Sequence, residues 1–373
     1  MRRCLLISVL SVALAFGPIT LMSSQVHGAA YENLESQKIS SPANAAENSD
    51  SSKSTAKTAG GRAKPGAKPR RASTSRGLTR VQMQNVDFHV DDNIVLRIRT
   101  IRGALLRKNP AKPPFFDDRE SFDFRIDSGI IGISTESLAN LLNNYVFAYP
   151  KAPLKGVSIT TEGGQIKMKG TVHKVTDLPF EIVGDIHATP EGKIQLHPTS
   201  IKTGGIPVKG LMNLFGIELD ELIKGTESHG VKIDDNDITM DPEVIIPPPQ
   251  VRGKITAIRI EGDEVIQVFG AANTTSIARS TSRRRGSNFM YYRGGTIRFG
   301  KLTMSNADLR LVDKDPKTPF DFSMDHYNSQ LVAGYSKNQP NLGLVVHVPD
   351  YYRIQAAARK TSAGSGSNTV SRR

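Results

Sequence analysis

The chain contains no tryptophan and one cysteine, Cys4, among 373 residues. Cys4 lies inside an apolar leader, so the mature chain has no disulfide, thiol nucleophile or thiolate metal site. Aromatic residues make up only 6% and apolar residues 38%, against the roughly 45–50% apolar share of a globular chain. Part of the sequence therefore lacks the means to form a core. Long apolar runs are equally scarce. After the leader, no stretch offers the ~20 apolar residues of a membrane-spanning helix. Catalytic signatures are missing too: no glycine-rich phosphate loop, no helical HExxH and no GxSxG elbow occurs. The one Ser-x-x-Lys match, Ser54 to Lys57, falls where nothing would preorganise it. These absences point away from an enzyme, and no cofactor or metal is expected.

What is present is unevenly distributed. Arg2 and Arg3 precede an apolar run from Leu5 to Phe16, a Gly17-Pro18 break and the small residues Gly28-Ala29-Ala30. This is the layout of a secretory signal over residues 1–30. The run is short for an uncleaved anchor and is broken by Pro18, so cleavage and export to the periplasm or cell envelope are expected. Residues 31–78 are rich in Ser, Ala, Lys, Gly and Pro and read as a disordered linker. From Lys53 to Arg80 the chain holds nine basic and no acidic residues. Lys68, Arg70 and Arg71 there, with Arg283, Arg284 and Arg285 further on, are candidates for contact with an anionic membrane surface. A solvated tether with no specific partner fits the same composition. Residues 81–350 carry equal numbers of basic and acidic residues, so the net charge of +13 belongs to the signal and the tails. A neutral folded part argues against nucleic acid as a partner.

From Arg80 onward the apolar residues alternate. Ile94, Leu96 and Ile98 oppose Arg97 and Arg99; Phe122, Phe124 and Ile126 oppose Asp123, Arg125 and Asp127; Ile166 and Met168 oppose Lys167 and Lys169; Phe180, Ile182 and Ile186 share a face. Turns are expected at Glu162-Gly163-Gly164, Pro190-Glu191-Gly192 and Glu261-Gly262-Asp263. The period of two with such punctuation predicts antiparallel sheet with one face buried. Two segments depart from it. Thr135 to Phe147 places Leu138, Leu141, Leu142 and Tyr145 at helical spacing behind a Ser134 or Thr135 cap, and Val208 to Ile223 does the same with Leu211, Leu214, Phe215 and Leu222. The expected fold is α+β, with a first domain over 79–245. The prolines 247–249 mark a boundary or rigid crossover. A β-rich region over 251–352 follows, with strands near 290–299, 301–312, 319–325, 330–336 and 342–348, and then a disordered basic tail over 353–373. Phe122 to Asp127 and Phe320 to Asp325 echo one another, each after a Lys-Asn/Asp-Pro turn.

Two polar groupings invite a metal reading. A hairpin turning near Glu191 sets Asp185 opposite His197 with His187 diagonal, on the face away from Ile182; a polar solvated face gives the same pattern. Asp234-Asp235-Asn236-Asp237 has a calcium-loop look, lacks the glycine and distal glutamate of one, and reads as a turn.

The stretch from Ile133 to Pro242 resembles the LmeA-like family of cell-envelope phospholipid-binding proteins, related to the tubular lipid-binding (BPI-like) folds. The resemblance is carried by Ile133-Ser134-Thr135-Glu136-Ser137-Leu138-Ala139-Asn140-Leu141-Leu142, Leu154-Lys155-Gly156-Val157-Ser158-Ile159, Gly164-Gln165-Ile166-Lys167-Met168-Lys169-Gly170, Gly192-Lys193-Ile194-Gln195-Leu196, Gly205-Ile206-Pro207-Val208 and Gly230-Val231-Lys232-Ile233. It lies in the order of elements and in glycine and aliphatic placement, without a diagnostic motif. The region after Gln250 and the basic linker are outside it. It implies a long curved antiparallel sheet wrapping amphipathic helices around an apolar tube or groove. An acyl lipid or phospholipid would be the bound partner and an anionic membrane the surface on which it is exchanged. Leu138, Leu141, Leu142, Tyr145, Ile166, Met168, Phe180, Ile182, Leu211, Leu214 and Phe215 would line that groove. The alternation fits a packed core equally well. In that case the chain is an envelope scaffold whose basic linker binds an anionic polymer or a partner.

Overall fold

The computed structural model describes residues 77–150, 152–173, 177–210, 229–234, 236–270, 288–341 and 343–364. The chain divides into two units, Met1–Pro69 and Arg70–Arg373, and all described residues belong to the second. The signal, the basic linker with Lys68, Arg70 and Arg71, most of the predicted second helix with Leu211, Leu214 and Phe215, and the Arg283–Arg285 run lie outside the described residues.

Alternation becomes strand wherever it was read. In chain order the first strands are β1 (Thr79–Asp91), β2 (Ile94–Arg107) and β3 (Phe122–Ser134). Ser134 then caps α1 (Thr135–Leu141), its hydroxyl accepting from Ser137 N at 3.1 Å. The helix widens into a π turn over Leu142–Val146, closed by Phe147 N donating to Leu142 O. A meander follows: β4 (Leu154–Glu162), β5 (Gln165–His173), β6 (Asp177–Ala188) and β7 (Ile194–Thr203), then β8 (Ile206–Pro207), β9 (Val231–Asp234) and β10 (Asp237–Met240). The Gly163-Gly164 and Glu191-Gly192 turns stand where expected. The Asp234 to Asp237 segment is a hairpin turn, with Asp237 paired to Asp234.

These later strands form one sheet in the order β4-β5-β6-β7-β10-β9, with β8 paired to the end of β7. After β10 the chain passes through a short helix, α2 (Pro242–Ile245), and the three prolines, and returns to the strands it began with. β11 (Val251–Arg252) lies parallel to β3, and β12 (Ile255–Glu261) and β13 (Glu264–Phe269) extend the sheet beyond it. The remaining strands are β14 (Phe289–Arg293), β15 (Thr296–Phe299), β16 (Leu302–Ser305), β17 (Asp308–Asp313), β18 (Phe320–Ser323), β19 (Tyr335–Asn338) and β20 (Leu344–Val348). The first sheet runs β12-β13-β3-β2-β1-β14-β17-β20-β19, while β15 and β16 form a separate hairpin. Strands from either side of the prolines thus share one sheet. The architecture is β-rich with two large, mainly antiparallel sheets, neither closed into a barrel.

Three expectations are corrected. The segments 290–299 and 301–312 are each two strands, because Gly294 and Gly295 (φ +78° and +57°) and the Asn306 position (φ +50°) turn the chain. The strand expected over 330–336 starts late: residues 330–332 end α3 (Tyr327–Val332), and only Tyr335 and Ser336 are strand, in β19. The buried Gln330 of α3 uses both amide hydrogens and its carbonyl oxygen, donating to Asp321 O and Pro349 O at 2.9 Å and accepting from Ser323 N at 2.8 Å; a polar residue at the centre of the packing hid the helical period. The tail expected to be unstructured from 353 begins as α4 (Tyr351–Gly364). Tyr351 is buried with its hydroxyl on Asp92, Tyr352 N donates to Asp321 Oδ2 at 2.9 Å, and Ala356 to Ala358 are strong helix formers.

The core is one contiguous cluster. In the first sheet it is aromatic. Phe88 lies 5.9 Å from both Phe124 and Phe322, so the two echoing segments meet in the same packing. In the second sheet it is aliphatic, and there it forms the site described next.

Candidate functional site

The inner face of the second sheet follows from its register. Ile186 pairs with Leu196, Leu196 with Ile238, and Ile238 with Ile233, giving an aliphatic row across four strands. Ile159 pairs with Met168 and Met168 with Ile182, giving a second row. Over these rows lies α1 with its π turn. Asn143 holds the turn in place, donating to Val157 O at 2.7 Å and accepting from Val157 N at 2.8 Å. This pair satisfies two backbone groups of β4 at the point where its pairing with β5 shifts register, between Lys155 and Ser158.

Between helix and sheet is an apolar bowl. Leu138, Leu142 and Phe147 face it from the helix side and Pro153, Leu154 and Ile159 from β4 and its approach. Ile166, Met168, Ile186 and Leu196 form the floor, and Val231, Ile233, Ile238 and Met240 the far wall. Every described lining residue is apolar. The free space within is about 30 Å³, the volume of two or three waters at ~10–15 Å³ each.

Of the sequence candidates, Leu138, Leu142, Ile166 and Met168 come together here. Leu141 is buried in the core at 2% exposure without lining the bowl. Phe180 and Ile182 are on the same sheet face, buried further along β6. Tyr145 stands apart: it is 37% exposed and its hydroxyl donates to Asp91 Oδ2 at 2.6 Å. Burial and the adjacent carboxylate push that phenol up to about 12. Its i+7 position from Leu138 would have kept it on the apolar face in a regular α-helix, and the π turn rotates it off. The lining residues missed were Phe147, Pro153, Leu154, Ile159, Ile186, Leu196, Val231, Ile233, Ile238 and Met240. Eight of these lie on strands and could have been found by the period of two; Phe147 and Pro153 lie on connections, where periodicity is silent.

The polar groupings are resolved differently. Asp185 and His197 are directly paired across β6 and β7, as the hairpin reading required. Their side chains turn elsewhere: Asp185 Oδ1 accepts from Gln165, His197 Nδ1 meets Asp237 Oδ1 at 2.6 Å, and His187 meets Gln195. Among the described residues no group of three His, Cys, Asp or Glu side chains is placed to hold a metal ion. A polar cleft of about 470 Å³ opens at the end of β1, lined by Asp87, Asp92, Glu136, Asp321, His89 and Arg97 among others. In it His89 Nε2 meets Asp321 Oδ1 at 2.5 Å. Burial raises the Asp87 carboxyl, and Arg97 opposes that rise. Asp321 also receives Tyr352 N, so this pair serves to fasten α4. No helix among the described residues is long and apolar enough to cross a membrane.

Comparison with family models, with curated proteins and with solved structures finds no match to this chain.

Proposed function

We propose that this chain is an exported, non-enzymatic lipid-binding or lipid-transfer protein of the cell envelope, with the apolar bowl of the second sheet as its acyl-chain site. The observation that carries the reading is the bowl's lining, in which every described residue is apolar. An acyl chain leaving a bilayer exposes about 0.8 kcal/mol per CH₂, so a whole chain needs more than ~10 kcal/mol of compensation, which only an enclosed apolar site supplies. The resemblance over residues 133–242 supports the same region, since that stretch runs from the end of β3 through α1 to β10. With about 30 Å³ free, loading a chain requires the helix side and the sheet to separate. The basic segments with Lys68, Arg70 and Arg71 and with Arg283 to Arg285 would hold the carrier near anionic headgroups.

A second reading is favoured by that same small volume. If the bowl is permanently closed, the sheet is a solid core and the chain is an envelope scaffold that acts through its basic linker. Native mass spectrometry of the mature protein purified without detergent, with solvent extraction, decides between them. A stoichiometric mass that extraction resolves into phospholipid or another acyl lipid supports the carrier. A bare mass that stays bare after incubation with envelope lipids overturns it in favour of the scaffold.

A further inference from the structure

The apolar face of the second sheet does not end inside the molecule. Thr203 pairs with Phe180 on one side and with Ile206 on the other, and paired residues share a sheet face. Ile206 is therefore on the face of Phe180 and Ile182, one pair beyond the buried cluster, and it is 68% exposed. The turn that presents it is Gly204-Gly205, with φ of +57° and +81° and open space where a Cβ would stand. The neighbouring strand ends the same way: Leu178, on the face of Phe180, is half-buried, and Pro179 and Pro207 are exposed. An isolated exposed isoleucine is ordinary. One that continues the apolar face of a candidate acyl site, at a two-glycine tip, is placed to meet something apolar.

Basic side chains stand at the same end of the sheet, Lys155, Lys169 and Lys202 on the face opposite Ile206. Lys155 and Lys209 are exposed at this end of the sheet. Lys202, paired with Pro207, reaches Glu181 at 3.2 Å, and Lys169 reaches the same carboxylate at 3.2 Å. Lys169 and Lys202 share the one carboxylate of Glu181. A two-fold copy of the chain would set these lysines against themselves. An anionic bilayer complements both the charge and the apolar tip.

We propose that this end of the second sheet, at the β7–β8 tip, docks on a bilayer bearing anionic headgroups. Ile206 enters the acyl boundary, with Pro207 and Leu178 beside it, and the lysines lie against the phosphates. The proposal rests on the lipid-binding reading for what would be exchanged there, and it places the exchange at this end of the sheet.

The absence of tryptophan provides a site-specific test. Full-length mature protein carrying Ile206→Trp, and separately Leu302→Trp on the β15–β16 hairpin (Leu302 is 42% exposed), is mixed with phosphatidylglycerol–phosphatidylcholine vesicles containing brominated acyl chains. Both variants carry the same basic tails, so attraction through the tails does not distinguish the two positions. The expected result is a blue shift and bromine quenching at position 206 and neither at 302, with Ile206→Asp lowering vesicle partition about tenfold. No quenching at 206, equal quenching at both positions, or a concentration-dependent blue shift without vesicles, which would assign the tip to a second copy, overturns it. Cargo extracted from the same samples separates the two claims. Cargo without quenching at 206 removes only the docking surface; quenching without cargo removes only the acyl site.

Discussion

Arg252 Nε donates to Asp123 Oδ2 at 2.6 Å, tying the strand after the proline crossover to the strand that leads into α1. Asp123 is 4% exposed, and its other cationic neighbour, Lys108, stands at 3.4 Å. The crossover therefore ends on a buried charge that needs its partner, which fixes β11 against β3 and closes the first sheet around the excursion to the second.

Removing that partner should cost more than removing the pair. Arg252→Met is expected to destabilise by about 2 kcal/mol, because the buried Asp123 carboxylate loses its hydrogen-bonded guanidinium and keeps Lys108 alone as a cationic partner. The double variant Asp123→Asn with Arg252→Met should recover part of this. Urea midpoints at unchanged slope measure both.

Asp350 gives a pH dependence of defined sign. Its side chain has no exposed surface, and burial lifts its carboxyl from the usual 3.8 to about 6. A carboxyl raised in the folded state binds its proton more tightly there, so its contribution to stability is complete below about pH 4 and is lost as pH rises through about 6. Asp313, raised for the same reason, acts in the same direction. Asp350→Asn keeps the oxygen that accepts from Asp321 N. It should leave stability unchanged near pH 3.5 and raise it by up to about 3 kcal/mol near pH 7.5. Unfolding curves at the two pH values test this.

Two isoleucines on the same sheet face should respond differently to lipid. Ile182 has 0% exposure and Ile166 lines the bowl. Truncating Ile182 to alanine should cost about 3 kcal/mol with or without lipid. Truncating Ile166 should cost a similar amount in stripped protein and measurably less at saturating short-chain lipid, which would fill the enlarged space. Equal costs under both conditions would favour the scaffold reading.

Gly103 is required by a close backbone approach. A Cβ there would sit 1.8 Å from Arg125 O, at the bulge between β2 and β3. Gly103→Ala should destabilise by at least about 3 kcal/mol or prevent folding, read as loss of soluble protein or a lowered urea midpoint.

The sequence was a good guide where one force acted alone. Strand periodicity along Phe180, Ile182 and Ile186, the glycine turns, the Ser134 cap and the opposition of Asp185 and His197 were legible because burial on one face imposes a period of two and glycine supplies the positive φ that tight turns need. Where forces competed it misled. Gln330 concealed α3 because its hydrogen bonds are made to backbone groups distant in sequence, and Tyr145 left the apolar face because Asn143 and β4 hold the chain in a π turn.

By itself, then, the sequence determined the β-rich character, the turns, the neutral charge of residues 81–350 and the absence of any cysteine after Cys4, since composition and local periodicity decide these. Only tertiary structure decided that strands on either side of Pro247–Pro249 share one sheet, which apolar residues surround the bowl, and that the buried face surfaces again at Ile206. Those depend on register between distant strands, and pairing partners are chosen by packing across the whole molecule, which no local pattern records.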